Sequence, residues 1–143
     1  MYDKPLPVVD PESAPYWSAL KDKRLILKYC RDCGRHHFYP RALCPHCHSD
    51  ALEWSDARGT GSIYSFTIAR RPAGPAFKAD APYVVALVRL AEGPLVAAQL
   101  TDVEPEAVSV GMPVEMVTRR LREDGPQGIV VYGYKFRPPL TAG

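Results

Sequence analysis

All four cysteines of the chain lie in one short segment, residues 30–47, which reads CRDCGRHHFYPRALCPHC. They form two Cys-x-x-Cys pairs, and each pair can present two thiolates from one tight turn. Two such turns on neighbouring hairpins supply the four ligands of a tetrahedral metal site. Gly34 permits the left-handed backbone that often closes such a turn, and Pro45 fixes a φ angle inside the second turn. The predicted metal ligands are Cys30, Cys33, Cys44 and Cys47.

The four thiolates predict a structural zinc ion. They leave no coordination position open for water, so the site is not hydrolytic. The binding energy of such a site, about 10–16 kcal/mol in zinc-finger peptides, is largely folding energy. A rubredoxin-like iron site has the same four ligands, and metal-free or oxidised thiols are a further alternative.

Whether the cysteine thiols are oxidised depends on the cellular compartment of the protein. Residues 1–15 have neither the cationic start nor the apolar segment of a signal peptide. No apolar run in the sequence is long enough to span a bilayer. We therefore expect a cytoplasmic protein without a membrane segment. Disulfides rarely persist in the cytoplasm, which disfavours oxidised thiols.

Four histidines accompany the cysteines, and they are His36, His37, His46 and His48. They could act as alternative metal ligands or as acid–base groups. Because four better ligands are already present, we interpret them as exposed ribbon side chains or as hydrogen-bond donors to thiolate sulfur.

The segments around the cysteines predict one short helix and a small sheet. Ser13 can cap a helix that has Pro15 in its first turn. That helix would present Tyr16, Trp17 and Leu20 on one face. The predicted ribbon strands are Arg24–Tyr29, Phe38–Arg41 and Leu52–Trp54.

The second half of the chain predicts a β barrel. Five apolar segments are separated by Gly- and Pro-rich turns, and residues 101–111, TDVEPEAVSVG, predict one short helix between the third and fourth segments. This is the element order of the OB-fold, a small Greek-key barrel. The predicted strands are Ser62–Arg70, Tyr83–Leu90, Leu95–Leu100, Val114–Leu121 and Ile129–Phe136.

The predicted fold class is therefore mainly β, with an N-terminal helix and a rubredoxin-like zinc ribbon followed by a five-stranded OB-fold barrel. We divide the chain into an N-terminal arm and helix at residues 1–23, the zinc ribbon at 24–56 and an OB-fold domain at 57–143. A length of 143 residues suits a small module followed by one compact domain.

This order of segments resembles a known family, the zinc-ribbon/OB-fold proteins associated with acyl-CoA enzymes (domain of unknown function thirty-five). The resemblance covers residues 13–136, and the ribbon followed by Gly-x-Ile-Tyr-Ser-Phe-Thr is more specific than the ribbon alone. The segments that carry it are YWSALKDKRLILKYCRDCGRHHFYPRALCPHC, GTGSIYSFTIARRP, PYVVALVRL and VGMPVEMVTRR.

The resemblance implies a non-catalytic accessory subunit. Proteins of this kind accompany thiolases, thiolase-like acyltransferases, aldolases or hydratases in hetero-oligomers, and they bind or position a coenzyme A thioester at the barrel. The partner subunit carries the nucleophile. The family's metal positions match Cys30, Cys33, Cys44 and Cys47 one by one, and no catalytic residue carries over.

The residues themselves agree with a non-catalytic role. Every cysteine is assigned to the metal, and the sequence has no Gly-x-Ser-x-Gly motif, P-loop or dinucleotide fingerprint. Ser62 and Ser65 lie in a predicted strand with no histidine nearby in sequence. We therefore expect no catalysis by this chain alone.

The phosphates of coenzyme A favour arginine and lysine as contacts. The candidates form two basic groups near strand ends, and in OB-folds the corresponding loops flank the binding face. We expect the two groups to converge on one rim, and the alternative is that they are solvated charges. The first group is Arg70, Arg71 and Lys78, and the second is Arg119 and Arg120 with the neighbouring Arg122.

The loop between the first two barrel strands, residues 69–82, is Pro-rich and has one large apolar side chain, Phe77. Its composition suits a lid or a partner-docking loop. A plain core anchor is an equal alternative for Phe77.

The sequence leaves two other functions possible. A single-stranded nucleic-acid-binding OB-fold could stack bases on Tyr64, Phe66, Tyr132 and Tyr134. The net charge of +2 and the 16 acidic residues argue against nucleic acid as a partner. An electron carrier with iron in the ribbon is the third possibility.

Overall fold

The computed structural model describes residues 10–124 and 129–139, of which 119–124 and 129–134 are described by their backbone alone. Residues 1–9 of the predicted N-terminal arm lie outside the described residues. The chain begins with helix α1 (Ala14–Lys21) and the ribbon strands β1 (Ile26–Cys30), β2 (His36–His37) and β3 (Leu52–Asp56). The barrel strands are β4 (Thr60–Ala69), β5 (Tyr83–Leu90), β6 (Leu95–Gln99), β7 (Pro113–Asp124) and β8 (Ile129–Arg137). No helix in this described part is long and apolar enough to cross a membrane.

Helix α1 begins where its sequence predicts. Ser13 is the N-cap residue, and its backbone N–H donates to Asp10 Oδ1 at 2.7 Å. The Trp17 indole N–H donates to Ser13 Oγ at 3.2 Å. Tyr16 and Leu20 are fully buried. The helix is therefore part of the core and is not an exposed appendage.

The ribbon is a three-stranded antiparallel sheet with β1 between β2 and β3. The predicted return strand at Phe38–Arg41 is wrong, because β2 consists only of His36–His37. The rings of Phe38 and Tyr39 pack on Tyr16 of α1, with centroids 5.6 and 5.7 Å away. Pro40 has no backbone N–H, so it cannot donate a hydrogen bond to a neighbouring strand. Packing against the helix therefore replaces strand pairing at this point.

The barrel strands pair in the order β6-β5-β4-β7-β8. The two outer strands of this sheet come together at one parallel bridge, between Leu100 and Phe136. There the Thr101 N–H donates to the Phe136 carbonyl oxygen at 2.8 Å. Among the described residues, continuous strand pairing therefore does not extend around the whole barrel. The strand order and the contact between the two outer strands are nevertheless those of an OB-fold.

The predicted helix at residues 101–111 is wrong. This segment contains only one short 3-10 turn, Pro105–Ala107. Asp102 has a φ of 59°, outside the helical region, at the point where the helix would start. Val108, just after the turn, is buried, so the segment covers one end of the barrel as an irregular loop.

One contiguous hydrophobic core joins the helix, the base of the ribbon and the barrel. Leu25 and Leu27 enter it from the ribbon side, and Val88 and Phe136 enter it from the barrel. The division of the chain at residues 23 and 56 stays a prediction. The shared core couples the stability of the parts, because each supplies apolar surface that the others cover.

Candidate metal centre

The four cysteine sulfurs converge at one end of the ribbon, all within 4.8 Å of one another. The Sγ atoms of Cys30 and Cys47 are 3.5 Å apart, and those of Cys33 and Cys44 are 3.7 Å apart. A tetrahedral ion with zinc–sulfur bonds of about 2.3 Å requires sulfurs about 3.8 Å apart. These two distances are close to that value, so the arrangement of the thiols suits a zinc ion.

The two turns that hold the sulfurs have the same backbone hydrogen bonds. The Gly34 N–H donates to the Cys30 carbonyl, and the His48 N–H donates to the Cys44 carbonyl, both at 2.8 Å. Each turn closes on a residue with positive φ, 73° at Gly34 and 67° at His48. The sequence predicts this role for Gly34. His48 closes the second turn in the same way, and the sequence did not predict this role for a histidine.

Each turn contributes one buried and one exposed cysteine. Cys30 and Cys44 are buried, whereas Cys33 and Cys47 are exposed. The backbone N–H of His46 also donates to Cys44 Sγ at 3.4 Å. The buried pair ties the metal centre to the sheet, and the exposed pair closes it on the solvent side.

The thiols differ in acidity. Burial raises the pKa of Cys44, but the backbone N–H groups of Cys47 and His46 and the neighbouring thiols outweigh it and bring the pKa to about 7. The Ser49 N–H lowers the pKa of Cys47, but burial and the other three thiols outweigh it and raise the pKa to about 12. Burial is the main cause that raises the pKa of Cys33. A bound cation must displace these protons, so metal binding here tightens as the pH rises.

None of the histidines joins the cysteines in the cluster of potential metal ligands found in the described part of the chain. His46 and His48 are exposed, and His46 Nδ1 lies 3.3 Å from Arg35 Nη1. His36 is half-buried, with Nε2 3.4 Å from Ser55 Oγ. His37 differs from the expected exposed side chain, because only 3% of its surface is exposed.

The first group of candidate coenzyme A contacts follows β4. Arg70, Arg71 and Lys78 are exposed, and Lys78 lies in a 3-10 helix, Pro75–Asp80. Arg70 Nη2 is 3.0 Å from Glu106 Oε1 in an exposed ion pair. Such a pair contributes little to stability, so Arg70 can exchange its partner for a ligand phosphate.

The second group lies on the backbone-only part of β7, where Arg119 pairs with Gly133 and Arg120 with Tyr132. Their side chains, like that of Arg122, lie outside the described residues. β7 pairs antiparallel with the start of β4, through Thr60–Ser62 and Pro113–Glu115. From this paired segment β4 runs toward Arg70, and β7 runs the other way toward Arg119. Strand pairing therefore does not support the expected convergence of the two groups on one rim.

The outer face of the barrel has an apolar strip, of which the sequence singled out only Tyr64, as a candidate for stacking bases. Val85 and Leu87 of β5 are 39% and 38% exposed, and Tyr64 of β4 is 53% exposed. Arg89 lies over the Tyr64 ring at 5.0 Å. We call Tyr64, Val85 and Leu87 the outer strip. Its only signal in the sequence is that β5 has apolar residues on both of its faces, which is unusual for a strand with one face in solvent.

Comparisons with known proteins match both parts of the chain. The family model described as "ChsH2, rubredoxin-like zinc ribbon domain" matches residues 17–53, and "ChsH2, C-terminal OB-fold domain" matches residues 54–119. A DUF35 domain-containing scaffold protein of Pyrococcus furiosus is 48% identical over 128 residues, which are 89% of this chain and 93% of that protein. These matches confirm the predicted zinc ribbon and OB-fold.

One further match is to a longer protein, and another is to a solved structure whose description names two components. A probable enoyl-CoA hydratase alpha subunit of Thermomonospora curvata is 38% identical over 111 residues, 78% of this chain and 34% of that protein. A solved structure described as "Ltp2-ChsH2(DUF35) aldolase" has a TM-score of 0.76 and 34% identity, and the match covers 93% of this chain and 98% of that chain. All four cysteine ligands lie within the matched ribbon.

Proposed function

The chain belongs to the DUF35 family, and from this membership we propose that it is a non-catalytic scaffold subunit that holds an acyl-CoA enzyme and positions its thioester substrate. The zinc ribbon stabilises the scaffold, the barrel contacts the partner, and the partner subunit carries the nucleophile. We place this assembly in the cytoplasm, as a hetero-oligomer.

The outer strip is the observation that carries this proposal. A scaffold needs an exposed surface with apolar contacts that a partner can bury, and Tyr64, Val85 and Leu87 provide one on a rigid sheet. Tyrosine is enriched among residues that dominate interface energies. The chain's own thiols support a non-catalytic role, because all four converge on the metal site.

The names of the relatives indicate the class of partner. One relative is named an enoyl-CoA hydratase alpha subunit, and one solved assembly is named an aldolase. We propose a partner of the same kind, namely a thiolase-like enzyme, an acyltransferase, an aldolase or a hydratase. Co-expression with the candidate enzyme encoded beside this gene tests the proposal. A stoichiometric complex whose enzyme is inactive without this chain is the expected result, and an enzyme fully active alone would contradict it.

The variant Leu87→Asp tests the docking surface directly. We expect it to weaken the complex with the co-expressed enzyme at least tenfold, because a charge would be buried against an apolar surface. Leu87 is 38% exposed, so the folded chain should keep its melting temperature. Leu43→Asp, the same change at a 53% exposed leucine of the ribbon, is the matched control. Wild-type affinity of Leu87→Asp in a titration would exclude the outer strip as the docking surface.

The double variant Arg70→Ala with Arg71→Ala tests the thioester site. We expect at least tenfold weaker binding of coenzyme A by calorimetry, with unchanged metal content, because two guanidinium contacts to phosphate are removed. Glu106→Ala is the converse variant. It removes the carboxylate that pairs with Arg70 at 3.0 Å, so it should leave binding equal or stronger. Unchanged affinity in the double variant would show that this basic group is not the site.

A further inference from the structure

A groove of about 620 Å³ separates the ribbon from the turn between β5 and β6. The ribbon wall includes Arg35, His37 and Arg41, and the barrel wall runs from Arg89 through Glu92 to Leu95. Its volume lies in the range of small-molecule sites. None of the sequence-predicted site residues lines this groove.

The charges along the groove are mostly positive. Arg35, Arg41 and Arg89 line it, against one carboxylate, Glu92. The Oε2 atom of Glu92 accepts the Arg58 N–H at 2.9 Å, whereas its Oε1 atom is buried with no hydrogen-bond partner in the described part of the chain, so this end of the groove disfavours an anion. Three arginines along one cavity attract an anion, and phosphate is the anion that the planar guanidinium fork fits best.

Two of the arginines are held in place by neighbours. Arg89 Nη1 donates to the Gly93 carbonyl at 2.7 Å, and its guanidinium lies over the Tyr64 ring. Arg35 Nη1 lies 3.3 Å from His46 Nδ1. Anchoring of this kind reduces the side-chain entropy lost when a ligand binds. Arg41 has no carboxylate partner within the described residues, so its charge is available to a ligand.

His37 lines the same groove, and it is 97% buried, since 3% of its surface is exposed. Neither ring nitrogen has a hydrogen-bond partner within the described residues. Burial, followed by the charges of His46, Lys28 and Arg41, lowers the pKa of this imidazole, so the ring is neutral. A neutral imidazole has one N–H donor, and a buried N–H without an acceptor is destabilising. Both ring nitrogens are inaccessible to solvent, so a ligand oxygen in the groove can act as the acceptor only once the ring turns toward it.

We propose that this groove binds the diphosphate of a small phosphorylated molecule, with Arg41 and Arg89 as its main contacts and Arg35 and His37 as supporting donors. The diphosphate could belong to coenzyme A or to a free nucleoside diphosphate. The site is separate from Arg70 and Arg71. The groove borders the end of β5, whereas those residues lie beside its start, and eight residues of strand span about 25 Å.

The positive charge of the groove has an alternative explanation, because it could balance the negative charge of the metal centre. A zinc ion with four thiolates has a formal charge of about −2, and Arg35 lies in the first cysteine turn. Arg41 and Arg89 lie outside both turns, so they separate the two explanations. If they serve only to balance the thiolates, the groove will not bind phosphate.

The experiment is a calorimetric titration of the zinc-loaded full-length chain with pyrophosphate, with ADP and with coenzyme A. We expect saturable binding of pyrophosphate and ADP by the wild type, at least tenfold weaker in Arg41→Ala with Arg89→Ala. His37→Phe, which keeps an aromatic ring in place, should weaken binding by a smaller factor. Zinc content and circular dichroism should not change. The control, Lys21→Ala with Arg58→Ala, removes two exposed cations that do not line the groove, and it should bind pyrophosphate like the wild type.

The outcomes separate this inference from the proposed function. If no phosphate compound binds, or if the Arg41/Arg89 double variant binds like the wild type, the groove site is overturned. Equal binding of ADP and coenzyme A supports a general diphosphate site. Much tighter binding of coenzyme A that is lost in Arg41→Ala with Arg89→Ala, but kept in Arg70→Ala with Arg71→Ala, assigns the groove to that cofactor. Pyrophosphate binding that persists while no enzyme partner forms a complex supports the groove site alone.

Discussion

Cys44→Ser is expected to release the metal and to unfold the ribbon. Cys44 is fully buried, its Sγ lies 3.7 Å from that of Cys33, and it accepts the His46 N–H. In zinc-finger peptides the metal contributes about 10–16 kcal/mol to folding, so removing one of four thiolates costs a large part of it. Each kcal/mol shifts the melting temperature of a chain of this size by about 2–4 °C, which predicts a fall of at least about 10 °C. Metal per chain by elemental analysis and melting by circular dichroism measure both effects.

His48→Asn is the control for that experiment. His48 is exposed and has a φ of 67°, a conformation that asparagine also adopts. If histidine is not a ligand, this variant should retain one metal ion per chain. A Cys44→Ser protein with full metal content and unchanged melting would contradict the assignment. The same elemental analysis distinguishes zinc from iron, which would make the protein coloured.

The metal centre was predictable because its geometry is local. Each Cys-x-x-Cys turn fixes two sulfurs by backbone hydrogen bonds within five residues, so the spacing alone identifies the candidate ligands. The long barrel strands were predictable for the same reason, because the alternation that identifies each strand lies within the strand itself. Alternation places β5 at Tyr83–Leu90, where the structure has it. Helix α1 starts after Ser13, where the proline in its first turn favours a start, although the Ser13 hydroxyl makes no capping bond to the backbone.

The errors arose where tertiary contacts override local pattern. Phe38 and Tyr39 have strand-like composition, but their rings pack on α1 and end the ladder at His37. The segment 101–111 has helix-like caps, but Asp102 adopts a left-handed conformation at its start. Neither packing partner could be identified from the neighbouring sequence.

The two surface features also depend on distant residues. The groove is formed by Arg41 of the ribbon and Arg89 of the barrel, whose positions in the sequence give no reason to expect that they face one cavity. The outer strip follows from β5 lying between β6 and β4 with one face buried and the other exposed. Alternation in the sequence shows that Val85 and Leu87 share a face, but not that solvent covers it.

Phe136→Ala is expected to open the barrel. Phe136 is fully buried in the shared core, and its backbone forms the bridge to Leu100 that joins the two outer strands of the sheet. Replacing a buried phenylalanine with alanine costs about 3–5 kcal/mol, and here helix α1 also packs against β8. We expect a loss of this size in urea unfolding, followed by the fluorescence of Trp17 and Trp54.

Hydrogen exchange provides the specific readout for the same variant. The Thr101 N–H donates to the Phe136 carbonyl at 2.8 Å, so its protection reports whether the edges of the sheet meet. In Phe136→Ala this amide should exchange faster by a larger factor than the Ala86 amide of β5, because Phe136 itself forms the bridge to Leu100, whereas Ala86 is paired on both sides by other strands. Tyr64→Ala, which removes an aromatic ring that is 53% exposed, should leave both amides protected. Equal acceleration of the two amides in Phe136→Ala would mean that the barrel unfolds as one unit and that the bridge has no separate role.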